Sequence, residues 1–205
     1  MAEKTPIQPQ LWTERPVEET IAVYRDWAAS YDDDLAKRGY QTPMRIAQAL
    51  LPFRDQITGP ILDFGCGTGL SGLALKAAGF GPLHGVDITA EMLALAESKA
   101  VYDKLWLGTP GTVPAQPGDY GLIVAAGVIS LGAAPPETLG QCLDALAPGA
   151  LLALSFNDPT LEAGTFDAAL LEQVTQGRAE VLVREHGPHL DDIGMGSDVM
   201  VLRRL

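Results

Sequence analysis

Asp63-Phe64-Gly65-Cys66-Gly67-Thr68-Gly69 follows the apolar run Pro60-Ile61-Leu62 and leads into the small-residue stretch Leu70 to Ala78. The segment reads as a strand, a loop of form D-x-G-x-G-x-G, and a helix stopped by Gly79. Glycines there let the backbone turn tightly and let a ligand approach the main chain. Free N–H groups at the helix N-terminus face whatever the loop holds. Outward from the loop the pattern alternates. His84-Gly85-Val86-Asp87 is a strand ending on an acid. Thr89 caps a helix over Ala90 to Ala100, with Glu91 in its first turn. Leu105-Trp106-Leu107, Leu122 to Ala126 and Leu151 to Phe156 are further strands, and Pro136 to Leu146 is a helix ended by Pro148-Gly149. Such alternation predicts a parallel, doubly wound α/β sheet.

The flanks differ from this centre. Thr109 to Gly118 holds Pro110, Pro114 and Pro117, which predicts an extended connection. In the tail, Phe166 to Thr175 reads as a helix, and Ala179 to His186 and Asp198 to Leu202 as strands. No helix fits between these two strands, so they pair antiparallel as a hairpin with a long loop. Before Pro60, residues 1–15 read as an arm. A helix starts at Pro16 and ends before Asp32-Asp33-Asp34, a solvated cap rather than a metal cluster. Thr42 caps a second helix, with Pro43 at its first position and Pro52 closing it. The organisation is thus a helical leader, 1–59, and one globular unit, 60–205.

The chain has 205 residues, with 14 Lys+Arg against 26 Asp+Glu and a formal net charge of −12. So acidic a surface repels phosphate backbones and anionic membranes. The longest uncharged stretch, Tyr120 to Pro136, falls short of the ~20 apolar residues of a membrane span. MAEKTPIQPQLW carries no apolar core and predicts no signal peptide. Cys66 and Cys142 are too few for a disulfide framework, so free thiols in a reducing cytoplasm are expected.

Two acids narrow the ligand. Asp87 ends the strand after the glycine helix, where a carboxylate accepts hydrogen bonds from a ribose diol. Gly67, Gly69 and Gly72 also satisfy G-x-G-x-x-G, which suits NAD and an oxidoreductase. Asp63, however, sets negative charge beside the loop, which opposes a pyrophosphate and favours a cation. S-adenosylmethionine, with an amine, a sulfonium, a ribose and no phosphate, fits better.

ILDFGCGTG with GVDIT downstream resembles the class I S-adenosylmethionine-dependent methyltransferases. A looser likeness extends through YDDDLAKRGYQTP, VREHGPHL and VMVLRR to the small methyltransferase-like proteins of the Williams–Beuren region group. The resemblance implies a Rossmann-like seven-stranded sheet in the order 3-2-1-4-5-7-6, strand 7 antiparallel. It implies that Asp63 and the Gly65 carbonyl face the methionine amine, and that Gly65, Cys66, Gly67 and Gly69 shape the loop. Asp87 would hold both ribose hydroxyls, Ile88 and Met92 would edge the adenine, and Ala126 would lie along the methionine part. Many relatives place an acid after the third strand; this chain has Gly108-Thr109, so either Thr109 or a backbone group takes that role, or adenine is held more weakly. No Asn/Asp-Pro-Pro-aromatic motif follows the fourth strand, which argues against a nucleobase amine as acceptor. A small-molecule acceptor is expected.

Several residues have plainer readings. Cys66 packs, and Asp63 or Asp87 caps a helix. Tyr24, Trp27, Tyr31 and Tyr40 form either a packing face or a lid over the cofactor, with Tyr31 bonding the methionine carboxylate. His186 and His189 flank Gly187-Pro188. His186 is the candidate general base, although histidines so placed are more often structural. No third ligand is spaced with them for a metal. A binding module that senses or scaffolds without catalysis is the alternative to an enzyme.

Overall fold

The computed structural model describes residues 9–205. Seven strands form one sheet in the order β3-β2-β1-β4-β5-β7-β6. They are β1 (Ile61–Phe64), β2 (Leu83–Asp87), β3 (Lys104–Leu107), β4 (Leu122–Ala125), β5 (Leu151–Asn157), β6 (Ala179–Leu190) and β7 (Met195–Arg204). Pairing is parallel from β3 through β5, while β7 runs antiparallel to both β5 and β6. The expected order and the one reversed strand are both present.

Period-two alternation divides the core between the two faces. Along β4, Ile123 and Ala125 join one cluster and Leu122 and Val124 the other. Helices α5 (Glu137–Asp144) and α7 (Thr165–Thr175) bring Leu139, Leu143, Phe166 and Leu170 to the first face. Helices α2 (Thr42–Leu50) and α3 (Leu70–Ala77) bring Ile46, Leu50 and Leu75 to the second. Both faces are covered, which is why the central strands are mostly apolar, with Asp63 in β1 and Ser155 and Asn157 in β5 as buried polar exceptions. Helix α4 (Ala90–Ser98) packs beside β2 and β3.

Local expectations needed correction where partners lie far away in the chain. Helix α1 (Val17–Lys37) runs through the three aspartates instead of stopping before them. Asp32 is no solvated cap: it accepts the Thr68 hydroxyl at 2.5 Å and pairs with Lys99 Nζ at 2.6 Å. Asp34 accepts Trp27 Nε1–H at 2.9 Å and Ser30 Oγ–H at 2.8 Å, and these bonds hold its carboxyl below the usual range. Thr42 is the first residue of α2, not its cap; its hydroxyl instead reaches His189 and Ser197. Helix α2 ends at Leu50, just before Pro52 as expected, and a 3-10 turn, Leu51–Gln56, follows it. Thr89 holds the cap position of α4 but makes no side-chain cap bond. The hairpin loop is short, a 3-10 turn at Asp191–Ile193 followed by Gly194, because β6 and β7 are longer than expected. A further helix, α6 (Asp158–Ala163), follows β5, with Asn157 Oδ1 accepting Thr160 N–H at its start. Residues 1–8 of the expected arm lie outside the described residues.

Candidate functional site

Strands β1, β2 and β4 all end toward one side, as the carboxyl edge of such a sheet must. A cavity of about 810 Å³ opens there. Phe64, Gly65 and Gly67 line it at the end of β1, Val86, Asp87 and Ile88 at the end of β2, and Ala126 and Gly127 after β4. The backbone supplies the cradle. Gly65 has φ +68° and passes so close to Val128 that an added Cβ would sit 2.4 Å from its Cγ2. Gly67, φ +53°, faces open space. Its N–H donates to Asp87 Oδ2 at 2.9 Å, and the Thr89 N–H donates to Asp87 Oδ1 at 2.8 Å. Burial raises the Asp87 pKa, and these N–H groups pull it back. A carboxylate accepts from several donors at once, so Asp87 on the cavity wall suits hydroxyl donors as well.

Asp63 is fully buried on the α3 face and does not line the cavity. Its Oδ2 accepts Ser71 Oγ–H and Tyr102 O–H, each at 2.6 Å. Its Oδ1 is buried with no partner among the described residues. Burial pushes this carboxyl up to about 6, against the two hydroxyl bonds. Tyr102 also explains Gly72: an added Cβ there would meet the phenol at 2.4 Å. Gly72, the third glycine of the dinucleotide-like spacing, therefore makes room for a side chain.

The other expected residues divide cleanly. Tyr31, Ile88, Met92, Thr109 and Ala126 line the cavity. Cys66 and Gly69 do not. Cys66 is buried with its thiol pKa raised by burial, and Gly69 holds the left-handed turn that starts α3. After β3 the wall is Gly108, Thr109 and Pro110. His186 is exposed, with Nδ1 2.9 Å from Asp198 Oδ1, and it lines neither this cavity nor the smaller chamber beside it.

Sequence reading missed part of the wall. Val17 and Thr20 of α1 line the cavity beside Tyr24 and the expected Tyr31, and their helical spacing was the available signal. The segment before α1 also reaches the site. An added Cβ on Gly132 would sit 2.1 Å from the Leu11 carbonyl oxygen. Asp32 ties α1 to Thr68 in the loop and to Lys99 beyond α4, and Lys99 donates to the Thr68 carbonyl at 2.6 Å.

Residues 61–149 match the family model described as a methyltransferase domain. Human methyltransferase-like protein 27 is 34% identical over 139 residues, 64% of this chain and 55% of that protein. The match thus spans about half the length of that curated relative. Magnesium protoporphyrin IX methyltransferase from Synechocystis PCC 6803, solved with bound SAM, superposes with TM-score 0.66 at 16% identity, over 91% of this chain and 97% of that one. The [4+2]-cyclase SpnF superposes with TM-score 0.65 at 14% identity, over 94% and 98%. These two structures share the fold. A sheet of this order carries D-x-G-x-G-x-G after its first strand, and residues 61–149, which hold that loop, match a methyltransferase domain and resemble the class I S-adenosylmethionine-dependent methyltransferases.

Proposed function

We propose that the protein transfers a methyl group from S-adenosylmethionine to a small-molecule acceptor, with α1 of the leader before Pro60 serving as a lid while α2 packs in the core. The observation that carries this is the pair of carboxylates flanking the glycine loop: Asp87 on the cavity wall, and Asp63 beneath it with an unpartnered oxygen. Two acids suit a ribose diol and an ammonium group and oppose a pyrophosphate. When bound, the cofactor supplies a methyl carbon already activated toward nucleophiles.

The chain's residues bind and orient. Asp87 accepts the ribose hydroxyls. Ile88 and Met92 flank the adenine, and Thr109 with the backbone beside it serves the adenine edge. Asp63 and the Gly65 carbonyl draw the amine, Tyr31 faces the carboxylate, and Ala126 lies along the methionine chain. Gly67 leaves the main chain open to the ligand. Tyr24 and Tyr31 on α1 help exclude water, so that the protein mainly aligns the acceptor. A net charge of −12 and an acceptor side walled by α1 both favour a small molecule over a nucleic acid. No helix among the described residues is long and apolar enough to cross a membrane. Two buried free cysteines suit a reducing cytoplasm.

One observation keeps a second reading alive. A protein named as a cyclase shares the fold, so the fold alone does not dictate methyl transfer. Labelled S-adenosylmethionine incubated with the protein and a metabolite extract separates the two. Label in a metabolite is expected; tight cofactor binding with no transfer favours a sensor or scaffold.

A further inference from the structure

A chamber of about 80 Å³ adjoins the larger cavity. Tyr24, Tyr31, Ala126 and Gly127 line both. No residue of the glycine loop 63–69 reaches the chamber, which is completed by Asn157 at the end of β5 and His189 at the end of β6. It shares the Ala126-Gly127 segment with the larger cavity and is distinct from the loop.

Asn157 is 7% exposed and His189 8%. Asn157 Oδ1 accepts both the Thr160 N–H at 3.1 Å and the Thr160 hydroxyl at 2.6 Å. Its Nδ2 has no partner among the described residues and is left for the chamber. A hydroxyl chain orients His189. Arg45 Nη1 donates to Ser197 Oγ at 2.9 Å, Ser197 to Thr42 Oγ1 at 3.2 Å, and Thr42 to His189 Nδ1 at 2.7 Å. An arginine only donates, and in this direction every hydroxyl proton finds an acceptor. Reversed, the Ser197 proton has none among the described residues. His189 then carries its proton on Nε2, the nitrogen left for the chamber. Two buried N–H donors meet one small space whose described lining contains no carboxylate.

We propose that this chamber binds the carboxylate of the methyl acceptor, so that the protein forms methyl esters of small organic acids. The inference rests on the cofactor reading above. A carboxylate only accepts hydrogen bonds, which is what two N–H donors recognise. An amine or hydroxyl acceptor has to lose a proton, and a histidine protonated on Nε2 and held to Thr42 by Nδ1 is no base for it. In the transfer, a carboxylate oxygen forms the new O–C bond as the C–S bond breaks. The bonding pair goes to sulfur, no proton leaves, and the carboxylate and sulfonium charges cancel. The chamber is about half the ~150 Å³ that admits a benzene ring. It takes a carboxyl head while the rest of the acid lies in the shared cavity.

The test is nitrogen-15 NMR of the His189 ring in protein loaded with S-adenosylhomocysteine and titrated with sodium propionate. A saturable shift of Nε2 is expected with propionate and not with 1-propanol or propylamine. Asn157→Asp keeps the oxygen that starts α6 but sets negative charge in the chamber. It is expected to weaken propionate at least tenfold and to leave S-adenosylhomocysteine affinity within twofold. No saturable shift, or an equal shift with the alcohol or amine, overturns the proposal. Equal loss of propionate and S-adenosylhomocysteine affinity assigns the chamber to the cofactor's own carboxylate and overturns it too. Failure of S-adenosylhomocysteine to bind wild-type protein overturns the cofactor reading itself. Labelled product from a small-molecule extract adds a chemical readout. Volatile methanol released by alkali marks an ester, whereas alkali-stable label overturns the carboxylate assignment and leaves the cofactor reading standing.

Discussion

Asp87 Oδ2 accepts the Gly67 N–H at 2.9 Å, so the acid that ends β2 holds the loop that follows β1. Binding and loop shape thus share one side chain. Asp87→Ala is expected to lower S-adenosylhomocysteine affinity at least tenfold while the fold survives, because water in the cavity replaces the lost acceptor. Each lost backbone bond costs about 1 kcal/mol. Calorimetry and circular dichroism read the two effects separately. Unchanged affinity would contradict the ribose assignment.

Asp63 gives a pH dependence with a definite sign. Burial raises its pKa from 3.8 to about 6. In the ligand-free protein its contribution to stability is therefore full below 3.8 and lost as the pH rises through about 6. A bound ammonium group reverses the preference, since it needs the ionised carboxylate. Cofactor affinity is expected to rise between pH 5 and pH 7, by up to about tenfold per unit. Asp63→Asn should flatten that profile and weaken binding at pH 7. A wild-type profile already flat would rule out an amine on Asp63.

Asp32 joins the leader to the rest of the site through Thr68 and Lys99. Asp32→Ala should loosen α1 without unfolding the sheet domain. Limited proteolysis is expected to cut within residues 17–37 faster than in wild type, and cofactor to protect less. The side chain is 37% exposed, so added salt should mimic part of the effect. Identical cleavage rates in variant and wild type would remove Asp32 as the tie.

Gly72 sits where a Cβ would meet Tyr102 at 2.4 Å. Gly72→Ala is expected to destabilise by about 1–3 kcal/mol through overpacking. It also displaces the phenol that donates to Asp63. Chemical denaturation measures the first effect. A neutral outcome would show that the ring moves freely.

The sheet was legible because alternating strands and helices, and the glycine loop between two of them, are local patterns. What escaped depended on distant partners. Asp32-Asp33-Asp34 looks like a helix stop until Thr68 and Lys99 are in place. Gly187-Pro188 looks like a loop, yet both belong to β6. That strand is an edge, where a proline's missing N–H costs no ladder bond. His186 and His189 looked equivalent by residue type. His189 falls at an irregularity of β6 between Pro188 and Leu190 and is buried on the chamber, whereas His186 in the regular part of the strand is exposed. Asp63 and Asp87 were visible as acids, but only the fold shows one beneath the cavity and the other on its wall.

Isothermal titration of the intact protein with S-adenosylmethionine and, separately, with NAD tests the central claim most directly. One-site binding of S-adenosylmethionine, with no heat from NAD, is the expected result. Binding of NAD with none of S-adenosylmethionine would contradict it.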